Sequence, residues 1–82
     1  MVTYFVVLPF VRNEEGELCP AEPVECASAA VAVFRAQEIG AKQAGAVAFY
    51  RTGDPDTGEW AEAVILARVG ETPEDLEAAT GT

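Results

Sequence analysis

The sequence predicts an α+β domain, ββαββ with a short C-terminal helix: a four-stranded antiparallel sheet of order 2-1-3-4 with one helix packed on one face. Three observations carry that expectation. The stretch TYFVVLPFV, Thr3 to Val11, holds no charged side chain and is apolar on both parities, with Tyr4, Val6, Leu8 and Phe10 on one side and Phe5, Val7 and Val11 on the other. Such a strand needs cover on both faces and neighbours on both edges, which places it centrally. Two turn-forming runs, RNEEGE and GDPDTGE, each lie between strand-like segments, and an alanine-rich stretch of helical character joins the two hairpins.

In chain order, Asn13 and Gly16 supply the first hairpin connection, and Leu18 to Cys26 returns as the second strand. Pro20 and Pro23 have no amide donor, so this strand belongs at an edge or is broken. Ser28 caps a helix reaching Ile39 or Lys42, with Gly40 or Gly45 ending it. Val31, Arg35, Glu38 and Lys42 form one stripe of that helix. Ala30, Val33, Phe34, Gln37 and Ala41 lie opposite, and Phe34 is the large anchor expected to insert into the sheet. Gly45 to Thr52 is the third strand and Glu59 to Val69 the fourth. The alanines of the fourth also suit a helix, but the preceding hairpin turn and Val64–Ile65–Leu66 at its centre decide for strand. Thr72 and Pro73 open the C-terminal helix, residues 78–82 fray, and 1–82 forms one domain.

Setting Thr52 opposite Glu59 puts Arg51 opposite Trp60, Phe49 opposite Glu62 and Val47 opposite Val64. One face then carries Ala46, Ala48, Tyr50, Ala61, Ala63, Ile65, Ala67 and Val69, which matches the alanine side of the helix. The other carries Val47, Phe49, Arg51, Trp60, Glu62, Val64, Leu66 and Arg68 and has no partner within the chain. That face is the candidate interaction surface.

Composition narrows the function. A chain of 82 residues buries roughly 60% of its unfolded surface, a thin margin without a partner. Fourteen acidic against 5 basic residues give a net charge of −9, a field that repels nucleic acid and anionic membranes. No run approaches the ~20 apolar residues of a membrane helix, and the first strand follows no basic leader, so the expected location is cytoplasmic. Cys19 and Cys26 flank Pro20 and Pro23; an extended segment of that length spans about 23 Å, too far for a disulfide, so two free thiols are expected.

With no histidine in the chain, Ser–His and Cys–His nucleophile pairs are excluded in their ordinary form. Asp54 and Asp56 sit in D-P-D-T-G-E, a partial calcium-loop pattern that fails where Gly58 and Ile65 replace ligands. Turn chemistry accounts for those residues, and no glycine-rich phosphate loop is present. The expectation is therefore no catalytic residue, no metal and no cofactor. Trp60 beside Arg51 reads as a cation–π pair at a sheet edge before it reads as a ligand-stacking platform.

The run GAVAFYRTGDPDTGEW, followed by VILARVG and Pro73-Glu74-Asp75, resembles a small bacterial protein family with a GAVAF-x-R strand, a GDP-x-x-G turn and an LAR-x-G strand end. ECASA and the alanine-rich helix are similar too, so the resemblance covers residues 24 to 76. It implies a strand over 59–69 and brings no activity and no site residues.

The functional expectation is a non-enzymatic interaction or regulatory module. It homodimerises through the uncovered face, centred on Phe49, Val64 and Leu66 with Trp60 nearer the rim. The alternative is a small-molecule binder or minor enzyme using Arg51, Glu62 and Arg68.

Overall fold

A computed structural model describes residues 1–73 of the chain. The C-terminal helix expected to open at Thr72 and Pro73, and the fraying expected at 78–82, lie outside the described residues beyond Pro73. The elements are β1 (Val2–Arg12), β2 (Leu18–Pro20), β3 (Val24–Cys26), α1 (Ala29–Lys42), β4 (Gly45–Asp54), β5 (Glu59–Trp60) and β6 (Val64–Gly70). The class is α+β, one helix on an antiparallel sheet. The sheet is not four-stranded but six-stranded: it runs β2-β1-β4-β5, with β3 also pairing β1 and β6 also pairing β4. The segment 18–26, expected at an edge or broken, is broken into β2 and β3 at the edge beside β1, and the segment expected as one strand over 59–69 is interrupted between β5 and β6.

Prolines cause the first interruption. Pro9 sits inside the central strand, opposite Ala46 of β4, and its carbonyl accepts from the Ala21 amide at 2.8 Å. In a strand a residue's nitrogen and carbonyl point to the same side, so the donor that Pro9 lacks faces the second segment. Pro20 and Pro23 lack donors as well. Pairing to β1 therefore lapses between Phe10↔Pro20 and Val7↔Val24.

The helix has the expected cap, Ser28 Oγ accepting from the Val31 amide at 3.2 Å. It ends at Gln43, whose amide donates to Ile39. Gly40 does not terminate it; a Cβ at Gly40 would strike the Val69 side chain, so the missing methyl lets the helix approach β6. The buried residues of α1 are Ala32 and Ala36, with Ile39 packed beside them. Phe34 points outward, 59% exposed, so its expected insertion into the sheet is overturned. Small side chains meet small ones, Ala32 and Ala36 against Ala46, Ala48 and Ala67, at a separation with no room for a phenyl ring.

The second interruption changes which residues share a face. β5 pairs as Asp54↔Glu59 and Gly53↔Trp60, two positions away from the expected Thr52↔Glu59 alignment. After the break, β6 pairs as Tyr50↔Val64 and Phe49↔Ile65, then shifts to Ala48↔Ala67. The extra residue is Leu66, a β-bulge that puts Leu66 and Ala67 together on the helix side. Ile65 moves to the opposite face, where it packs on Leu8, Phe10, Val47 and Phe49 with Val6, Leu18 and Ala63. The described residues thus form two small cores, one on each face of β1 and β4.

Candidate interaction surface

The face away from the helix differs along its length. At one end Val47 is fully buried and Phe49 is 6% exposed, so these two belong to the chain's own second core. Leu66 lies on the helix side because of the bulge. Val64 pairs with Tyr50, which pairs with Phe5 of the helix-side cluster; it is on that face too, and exposed. The expected centre of the surface, Phe49, Val64 and Leu66, is therefore dispersed. Arg68 is exposed opposite Val47, and Glu62 is exposed within the break between β5 and β6. Arg51 stands roughly 13 Å along β4 from Val47, the residue opposite Arg68.

The structure does bring Arg51 and Trp60 together, and adds Tyr4. Tyr4 is opposite Arg51, and Trp60 is opposite Gly53. The indole crosses β4 over Gly53, where any Cβ would collide with the ring, and stacks on Tyr4 with centroids 5.5 Å apart at 27°. The Arg51 guanidinium carbon lies 5.9 Å from the indole centroid, within cation–π range. Its Nε donates to the Ala61 carbonyl at 3.2 Å. That bond ties the guanidinium to the interrupted segment between β5 and β6. The turn between β4 and β5 is fixed by Asp54, whose Oδ1 accepts from the Asp56 amide and whose carbonyl accepts from Gly58.

Tyr4, Val6, Phe49, Arg51 and Trp60 line a recess of about 290 Å³. Tyr4 is 40% and Trp60 37% exposed, the largest aromatic groups left open on this face. Among the described residues the ion pairs are Arg12–Glu71 and Arg35–Glu38, and Arg51 is in neither. The recess thus presents aromatic walls and one guanidinium with no carboxylate partner among the described residues. Sequence reading missed Tyr4 because its contact with Trp60 spans three strands. The usable signal was Gly53, a residue without a side chain directly before the turn.

Elsewhere the chemistry is sparse. Cys19 and Cys26 are free and half-buried. Among the described residues no three His, Cys, Asp or Glu side chains gather as a metal site, and no helix is long and apolar enough to cross a membrane. No family model, no curated protein and no solved structure matches the chain.

Proposed function

We propose that this chain is a non-enzymatic, cytoplasmic protein-interaction module. It forms a homodimer through the sheet face turned away from the helix, seated at the open end on Tyr4, Arg51 and Trp60. One observation carries the reading: a preformed aromatic stack is left exposed while the described residues form two small cores. Rigid tyrosine and tryptophan side chains beside an arginine are the residue types that dominate binding energy at interfaces. Burying them also adds stability to a fold with little in reserve. The charge of −9 opposes association, but the Debye length is only about 8 Å at physiological salt, and Arg51, in no ion pair among the described residues, brings a positive charge to the contact.

The recess itself favours a second reading, a small-molecule binder that uses Arg51 without Glu62 or Arg68. Sedimentation velocity with a Trp60→Ala variant separates the two. A homodimer gives a dimeric wild type at tens of micromolar and a folded, monomeric Trp60→Ala, since contacts in the micromolar range dissociate when a central anchor is lost. A wild type that is monomeric at such concentrations removes the homodimer reading.

A further inference from the structure

The unpaired strand edges of this sheet are unequal. The outer edge formed by β2 and β3 carries Pro20, with Pro23 and Glu22 between the strands and Glu25 exposed. The outer edge of β6 is interrupted by the Leu66 bulge and carries Arg68. Proline, charge and bulge are the devices that keep one edge from adding to another. The outer edge of β5 is two residues long and carries Glu59. The free stretch of β1 has none of these devices. β3 stops with Cys26 opposite Phe5, and the chain turns away at Ser28 into the helix. Val2, Thr3 and Tyr4 therefore pair with β4 alone among the described residues, in a register unbroken from Val2↔Gly53 to Phe10↔Gly45.

Charge selects what can occupy this edge. In a chain of net charge −9, contact between two copies is least opposed where neither brings a carboxylate. Met1 to Val11 is the longest run without a charged side chain, and the free edge lies within it. We infer that the partner strand is the same strand of a second copy. Two β1 edges pair antiparallel about a two-fold axis at Thr3; this rests on the homodimer reading and moves its contact from the sheet face to the β1 edge that borders the same open end.

The side chains suit that axis. With Thr3 opposite Thr3 of the second copy, Val2 faces Tyr4 and Tyr4 faces Val2, two aromatic–β-branched cross-strand pairs. Thr3 Oγ1 already bonds Thr52 Oγ1 at 3.0 Å across β1 and β4. The axis extends this to a ladder of four hydroxyls, Thr52 and Thr3 from each copy, on the opposite face from Tyr4. Each copy's Tyr4–Trp60 stack then lies on the same face of one continuous sheet, beside the Val2 it receives. A slip of the pairing register by one residue would set Tyr4 against Thr3 and break the threonine ladder.

The test uses the full chain with Cys19→Ser and Cys26→Ser, into which Thr3→Cys or Val64→Cys is introduced. Residues facing each other on the axis have Cα atoms about 4.5–5.5 Å apart, inside disulfide range. Under mild oxidation Thr3→Cys should cross-link roughly tenfold faster or more than Val64→Cys, as expected for thiols held together by association. Val64 is the control because it is exposed but lies on the bulged strand. In the wild type, hydrogen exchange at Val2–Tyr4 should slow as protein concentration rises. If the protein sediments as a dimer, yet Thr3→Cys cross-links no faster than Val64→Cys and these amides ignore concentration, the edge pairing is wrong and the homodimer reading survives. A monomer at tens of micromolar removes both.

Discussion

The two ends of the β1–β4 pair have the same kind of sequence and different surroundings. Around Val7–Phe10 and Ala46–Phe49 the helix packs on one face and Leu18, Ala63 and Ile65 pack on the other. Around Val2–Tyr4 and Arg51–Asp54 the same two strands continue beyond the core clusters, and Val2 and Tyr4 are exposed. Apolarity on both parities thus shows that a strand needs cover along its length without showing who supplies it. At one end the chain covers itself. At the other end it holds Trp60 across Gly53 onto Tyr4 and leaves the pair open, which is where we place the partner.

The sharpest way to break that comparison is to remove an anchor from the covered end. Phe10 is fully buried and is the largest such side chain. Phe10→Ala should cost about 3–5 kcal/mol, close to the whole stability of so small a domain. Urea denaturation checks it. A loss under ~1 kcal/mol would mean that the second core is not a packed unit.

Why the covered end was readable and the open end was not follows from particular residues. Ala46 and Ala48, and Ala67 and Val69 beyond the bulge, lie on the helix side as expected, because alternation is a reliable guide along a stretch without an inserted residue. Ile65 and Leu66 were exchanged because one inserted residue reverses every parity before it, and period-two reading carries no mark for a bulge. The helix was rotated in expectation because alanines occur on several of its sides. The burial of Ala32 and Ala36 over Phe34 depends on close approach to other alanines, not on hydrophobicity. At the open end, Arg51 and Trp60 were correctly brought together, although through a register two positions off. Tyr4 was invisible because its place follows from the β1–β4 register, which no local turn specifies.

Gly53→Ala sharpens the comparison at the open end with a smaller effect. The added methyl would meet the Trp60 ring, so the indole must leave Tyr4. An aromatic pair of this kind contributes about 0.5–1.5 kcal/mol, and the loss in folding stability should fall in that range. Trp60 is the only tryptophan, so its fluorescence reads the displacement directly: emission should shift to the red while circular dichroism of the body stays unchanged. Unchanged emission would mean that the ring is not seated over Gly53. On the homodimer reading the same substitution also weakens self-association, and sedimentation measures that separately.

The smallest effect concerns Phe34. As a plug between helix and sheet it would make Phe34→Ala as damaging as Phe10→Ala. Its ring is instead 59% exposed, on the outer side of the helix beside Val31. Little apolar area returns to water when it is removed, and a mostly exposed side chain away from caps and cores usually changes stability by no more than about 0.5 kcal/mol. Helix propensity acts in the opposite direction, because alanine gives up less side-chain freedom in a helix than phenylalanine, by about half a kcal/mol. The two terms nearly cancel, so Phe34→Ala should be neutral or slightly stabilising in urea denaturation. Run beside Phe10→Ala, it turns the comparison into one number, the gap between a ring in the core and a ring on the surface. A loss above ~2 kcal/mol would put Phe34 back among buried anchors and require the helix to turn about its axis, taking Ala32 and Ala36 off the sheet.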